Sequence, residues 1–332
     1  MLSDRLRGAF LGLALGDALG APYEFKYSFP LTQYNGTIYQ PIKWRARFKP
    51  MQYSAIGQVT DDTTMTIALL YSIVKNKNWI KNDVIQSYVE WANCGIKFIG
   101  KNTRSLFYGI KTLKGYKDRY QRLDLTKMES NGSLMRAFPL LLLFYYLPEE
   151  EAYQQALNDT NLTNPTTINQ DATLIYLTAL RLILNNTSVD EALPQLMNIA
   201  QTSEIREAII QADQDLPRNI THNKGWVVHT LYCAIYAWIK ADRQHQSFSQ
   251  IIDQSFSQII DQIILKGGDT DTNASVSMAL VGLIKGENNM YQESITSQNL
   301  NIILSADTNQ GNFPLDIKYH PASAINLLNV YQ

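Results

Sequence analysis

Acidic side chains gather at two places in this chain that lie more than two hundred positions apart, Thr60-Asp61-Asp62-Thr63 and Gly267-Gly268-Asp269-Thr270-Asp271-Thr272. Each cluster opens an apolar segment with helical spacing. Met65, Ile67, Ala68, Leu69 and Leu70 follow the first, and Val276, Met278, Ala279, Leu280 and Leu283 follow the second. Both clusters therefore belong at helix N-termini. Ordinary capping accounts for one oxygen at each start, because a Thr or Asp side chain accepts from the backbone N–H groups left unpaired there. It leaves unexplained two carboxylates at each of two starts, and the Gly-Gly that lets the backbone turn closely before the second. If the starts face each other, four Asp carboxylates and several Thr oxygens converge, and charges that close are tolerable when a hard divalent cation sits among them. The two ends of the chain must then meet. With no Pro/Gly/Ser-rich linker between them, one domain spanning 1–332 is the expected organisation.

Helical periodicity dominates and strand patterns are scarce. It predicts helices over 2–19, 62–75, 82–92, 103–113, 132–147, 149–158, 169–185, 188–201, 226–240, 247–265 and 272–285, an all-α bundle with substantial loops. Gly8, Gly12, Gly16 and Gly20 recur every four residues and give the first helix a flat stripe, a pattern that asks for another helix packed very closely against it. Arg5 and Arg7 ahead of Ala9 to Leu15 imitate a secretory leader, but Asp4 and Asp17 flank the apolar run and the glycine stripe fits a packed helix better. The octapeptide SFSQIIDQ stands at 247–254 and again at 255–262. Eight residues overshoot two helical turns by about 80°, so the copies cannot share one face, and the repeat reads as a duplication on a surface helix or its leading loop. Lys43, Arg45, Arg47 and Lys49 alternate with Ile42, Trp44, Ala46 and Phe48, which suggests an extended segment with a basic face beside the first acidic cluster.

Balance between 29 basic and 30 acidic residues leaves a formal net charge of -1, with no global field to draw polyanions or membranes. The longest apolar stretch, Leu140 to Leu147 between two prolines, falls short of the roughly 20 residues a bilayer requires and reads as a core helix. Cys94 and Cys233 lie in apolar helical pattern without metal-ligand spacing, which fits buried thiols in a reducing, cytoplasmic setting. His222, His229, His245 and His320 all lie outside the acidic clusters, so the pattern does not support Ser-His-Asp or Cys-His chemistry.

Five motifs, in order, carry a family resemblance. Gly16-Asp17-Ala18-Leu19-Gly20-Ala21-Pro22-Tyr23-Glu24-Phe25 is similar to the opening segment of the ADP-ribosylglycohydrolases of the dinitrogenase-reductase-activating type. Gly57 to Thr63, Asn131-Gly132-Ser133-Leu134-Met135-Arg136, Gly225 to Leu231 and Gly267 to Asn273 resemble that family's later elements. The resemblance implies a compact, all-α orthogonal bundle with a binuclear centre of two divalent cations, magnesium first and manganese as the alternative, at the bottom of a cleft that holds ADP-ribose. Carried over by position, it implies Thr60, Asp61, Asp62, Asp269, Asp271 and Thr272 as metal ligands. Glu24 and Asp62 become the candidate catalytic residues, orienting or deprotonating a water, and Asn131, Gly132, Ser133, Leu134 and Met135 the substrate contacts. One departure stands out: the chain reads Leu162-Thr163-Asn164-Pro165 where many members carry histidine at the third position. Asparagine donates a hydrogen bond there but takes up no proton.

The implied activity is metal-dependent hydrolysis of the glycosidic bond joining ADP-ribose to a protein side chain, arginine or serine, or to another acceptor. Partners would be an ADP-ribosylated protein or a small-molecule ADP-ribose conjugate, a modified nucleic acid remaining open and a membrane not expected. The departure at Asn164 motivates a second reading, a module that binds ADP-ribose without turning it over. A third, a two-metal phosphoesterase, would more commonly recruit histidines beside the carboxylates.

Overall fold

The stripe of small residues in the first helix decides how the bundle is assembled. In the computed structural model, which describes residues 2–25, 34–44, 50–96, 98–246 and 255–331, α1 (Leu2–Gly20) and α13 (Thr270–Lys285) run against each other along their whole length. A methyl group on Gly8, Gly12, Gly16 or Gly20 would strike the backbone of Gly282, Met278, Ala274 or Asp271 respectively. Gly282 returns the contact, since a methyl there would strike Gly8. Backbone thus meets backbone, with no side chain of α1 between the two helices at these positions. The consequence is positional: the C-terminal end of α1 lies beside the N-terminal end of α13.

Around this pair stand α2 (Asp61–Asn76), α3 (Lys81–Asn93), α4 (Lys101–Phe107), α5 (Leu113–Arg122), α6 (Leu143–Tyr146), α7 (Glu149–Thr160), α8 (Thr167–Leu184), α9 (Val189–Ile199), α10 (Ser203–Asp213), α11 (Val227–Gln246) and α12 (Phe256–Leu265). The described chain closes with α14 (Glu287–Gln292), α15 (Ser294–Leu304) and α16 (Pro321–Leu327). The fold is all-α. Its one small sheet among the described residues pairs β1 (Lys43–Trp44) antiparallel to β2 (Gln52–Tyr53). One apolar core runs from Leu6 to Leu328, with α11 and α12 covering α13 and α8 touching both α11 and α13. No described helix is long and apolar enough to cross a membrane.

Four expectations change. The segment 132–147 is not one helix but a turn over 131–136, a 3-10 stretch Phe138–Leu142 and the single turn of α6, because Pro139 offers no N–H and the Arg136 side chain takes Gly132 O while Asn164 holds Ser130 O at the turn's entry. The expected helix over 103–113 stops at Phe107, short of Gly109 at φ 76. Helices α5, α10, α14, α15 and α16 form where no helix was expected, α5 sharing only Leu113 with the expected one. The second octapeptide copy is not a bystander: Ser255 and Gln258 form a reciprocal capping box at the start of α12, and Phe256, Ile259, Ile260 and Ile263 are buried. The first copy, and Arg45, Arg47 and Lys49 of the basic run, lie outside the described residues.

Cys233 is buried, Cys94 half-buried, and both are free thiols.

Candidate active site

A cavity of about 490 Å³ opens where α1, α2 and α13 end, and all six expected metal ligands, Thr60, Asp61, Asp62, Asp269, Asp271 and Thr272, line it together with Glu24. The two acidic helix starts do meet. Capping by their own side chains does not explain them, for neither Thr60 before α2 nor Asp269 before α13 caps its helix through its side chain. The α2 start is served instead by Asp17 of α1. Its fully buried carboxylate accepts from the Thr60 N–H at 3.0 Å, the Thr60 hydroxyl at 2.8 Å, the Thr63 N–H at 3.1 Å and the Thr63 hydroxyl at 2.6 Å. An anion at a helix N-terminus is favoured by the partial positive charge there. By taking over the cap, Asp17 leaves the carboxylates of Asp61 and Asp62 to face the cavity.

Asp17 stands within the opening motif, which by itself assigns it no role. The available signal was a charged side chain on a helix whose other residues are almost all buried. Ile42 and Trp44, the apolar side of the alternating segment, line the cavity, as do Phe98, Ile99, Gly100, Lys101 and Asn102, which no motif marks.

The floor is crowded with carboxylates. One oxygen each from Asp17, Asp62 and Asp271 lie within 4.8 Å of one another, as do oxygens from Glu24, Asp269 and Asp271. Asp61 Oδ2 accepts from the Gly100 N–H at 2.9 Å, and Asp269 Oδ2 from Asn131 Nδ2 at 3.0 Å. Asp62 Oδ1 is buried with no hydrogen-bond partner. Burial, then the neighbouring carboxylates, pushes Asp62 and Asp271 well above the ordinary range, and burial above all lifts Asp61 to about 7. Glu24 is exposed as a residue, yet its carboxyl points among Asp269, Asp61 and Asp17 and is likewise driven up, by desolvation first and these charges second. A set of oxygens alone, mutually repelling, with one buried and orphaned, is the donor chemistry of a hard divalent cation.

The wall is built differently. Residues 129–131 pair with 225–227: the Asn131 N–H donates to Gly225 O at 2.9 Å and the Val227 N–H to Glu129 O at 3.0 Å. Asn131 Nδ2 ties this wall to the floor through Asp269 and Thr230. Of the expected substrate contacts, Asn131, Gly132 and Met135 line the cavity. Ser133 and Leu134 point elsewhere, Ser133 accepting from Asn169 Nδ2 at 3.0 Å and Leu134 entering the core. Asn164 is 1 % exposed and stands behind the wall. His229 is held neutral by burial, its pKa lowered to about 4, and braces the Trp226 turn by accepting from Arg218 and contacting His222 O. Among the described residues no histidine lines the cavity.

Residues 1–299 match the family described as ADP-ribosylglycohydrolase. The dinitrogen reductase ADP-ribosyl glycohydrolase of Rhodospirillum rubrum is 33 % identical over 148 residues, covering 42 % of this chain and 44 % of that one. The ADP-ribosylarginine hydrolase of Pseudomonas putida is 24 % identical over 254 residues, 74 % of this chain and 64 % of that one. These matches thus span about half of the first relative and just under two thirds of the second. A solved structure titled ADP-ribosylglycohydrolase-related protein complex shares the fold, with a TM-score of 0.68 at 22 % identity over 99 % of both chains. Where the bundle and the sequence agree from the first helix through α13 and beyond, the chain belongs to the ADP-ribosylglycohydrolase family.

Proposed function

We propose that this protein hydrolyses the glycosidic bond joining ADP-ribose to an acceptor, an arginine or serine side chain, a small molecule or a modified nucleic acid, and releases ADP-ribose. The observation that carries the reading is the meeting of two acidic helix starts around the orphaned Asp62 oxygen at the floor of a cavity large enough for a nucleotide-sized ligand. Thr60, Asp61, Asp62, Asp269, Asp271 and Thr272 would hold two divalent cations, magnesium or manganese, which when bound supply positive charge at the ribose hydroxyls and lower the pKa of water.

The chain's own residues do the rest. Asp17 occupies the α2 cap and so fixes where Asp61 and Asp62 stand. Bound ADP-ribose lies along Asn131, Gly132 and Met135, the bare Gly132 letting it approach the backbone. The apolar faces of Ile42, Trp44, Phe98 and Ile99 shield the reacting bond from bulk water. Glu24 and Asp62 are the carboxylates placed to orient the attacking water or take its proton, and their charge stabilises an oxocarbenium-like transition state.

The binding-only alternative drew on Asn164, and that side chain is buried outside the cavity lining, so its identity removes no group from the cavity. The test is a panel of ADP-ribosyl-arginine, -serine and nucleic-acid substrates scored for released ADP-ribose with magnesium or manganese. Release on at least one substrate is expected, abolished by EDTA and reduced at least about a hundredfold by Asp61→Ala. Binding of ADP-ribose without release from any substrate would favour the alternative.

A further inference from the structure

Beyond its short bridge to 225–227, the turn that faces the ligand has no ladder. From Met128 to Arg136 the chain is neither strand nor α-helix, and its inward carbonyls must find donors elsewhere. Side chains supply them. Arg136 Nη1 donates to Gly132 O at 2.6 Å, and Asn169 Nδ2 to Ser130 O at 2.8 Å. Asn164 Nδ2 donates to both Met128 O at 2.7 Å and Ser130 O at 3.1 Å, with the Ser130 hydroxyl also at 3.1 Å. Ser130 and Gly132 are cavity wall, while Asn164 sits directly behind, its Oδ1 3.8 Å from where a methyl on Gly132 would stand.

The direction of the Asn164 amide is fixed by its other end. The Thr163 hydroxyl donates to Asn164 Oδ1 at 2.6 Å and itself accepts from Arg136 Nη1 at 3.0 Å. Arg136 is fully buried against Asp159, bonded through Nε to Asp159 Oδ2 at 2.9 Å, and Trp79 and Tyr88 donate to Asp159 Oδ1. A buried ion pair of this kind is weak evidence for stability. Here it has a geometric use: with the Thr163 proton committed to Oδ1, the amide nitrogen can only face the two carbonyls.

The geometry points to Asn164 as a positioning residue for ADP-ribose binding, which reaches the ligand through the Ser130–Gly132 backbone and draws its orientation from the buried Arg136–Asp159 pair. The inference rests on the proposed reading that this wall holds ADP-ribose. An amide is suited to the place because one end donates twice while the other accepts, a combination that neutral imidazole, with a single N–H, cannot match.

Kinetics on an ADP-ribosyl substrate and calorimetry with free ADP-ribose, both at saturating magnesium, test this in wild type, Asn164→Ala and the isosteric Asn164→Asp. KM and the Kd for ADP-ribose should rise together, about tenfold in Asn164→Ala and further in Asn164→Asp, where an anion faces two carbonyls, while kcat stays within about threefold. A purely structural role would reduce the folded fraction, lowering apparent kcat and leaving KM and Kd unchanged, and that result overturns the inference. Should Asn164→Ala fail to fold, Asn164→Asp keeps the volume and carries the comparison. Wild-type protein that binds no ADP-ribose would overturn the functional reading and this inference together, whereas normal wild-type binding with unaltered variants overturns the inference alone.

Discussion

The floor and the wall of the cavity are held by opposite means. The floor depends on α1 and α13 in backbone contact, where four glycines leave no side chain to adjust. The wall depends on an irregular turn whose carbonyls are held by hydrogen bonds from the side chains of Asn164, Asn169 and Arg136. Carboxylates that repel one another need a frame that cannot relax apart, and steric contact provides one. A surface that must accept a sugar nucleotide needs particular carbonyls and N–H groups in place, and hydrogen bonds set those. The contrast teaches that rigidity can be assigned by role within one site.

The largest effect should come from breaking the floor. Gly12→Ala puts a methyl against the Met278 carbonyl, and overpacking at a contact with no side chain to yield should cost about 3 kcal/mol, read as a lower denaturant midpoint. A midpoint within about 0.5 kcal/mol of wild type would show that the helices can separate freely, and the contrast would fail.

Asp17→Asn should be next. An amide nitrogen in place of Oδ2 cannot accept, so the bond from the Thr63 N–H is lost and the Thr63 hydroxyl must reverse, destabilising by about 1–2 kcal/mol net of relieved charge repulsion. The same variant should show a smaller magnesium-induced rise in melting temperature, because the α2 start no longer places Asp61 and Asp62. A full-sized rise would mean that Asp17 does not position them.

The smallest effect separates floor from wall by pH. Asp61 is lifted to about 7, chiefly by desolvation, so the folded protein keeps a proton that the unfolded chain has already lost above pH about 4. Metal-free stability therefore falls as pH rises from about 4 to 7. Cations require the ionised groups, so the magnesium-induced rise in melting temperature should be larger at pH 8 than at pH 5.5. Equal rises at both pH values would remove the raised carboxyls from the account.

Particular residues show why some of this was legible in advance. The glycine period of four forecast a close helix partner, since the reason is local: a flat stripe buries only against another backbone. It could not say which helix, and α13 stands some 260 positions away in sequence. The segment 132–147 misled because its apolar spacing is helical, while the Arg136 side chain claims Gly132 O, Asn164 and Asn169 hold the carbonyls of Met128 and Ser130 just before it, and Pro139 withholds an N–H. Asp17 was visible as a buried charge, but its partners belong to α2, and no spacing within α1 reveals them.

By itself, then, the sequence determined the helical class, the two acidic helix starts and the small-residue face, all consequences of local propensity and of side chains a few residues apart. Tertiary structure alone decided which helix answers the glycines, that Asp17 rather than Thr60 caps α2, and that Asn164 stands behind the wall rather than in the cavity. Those outcomes depend on contacts between distant segments, whose energies are fixed only once the backbone has chosen its packing.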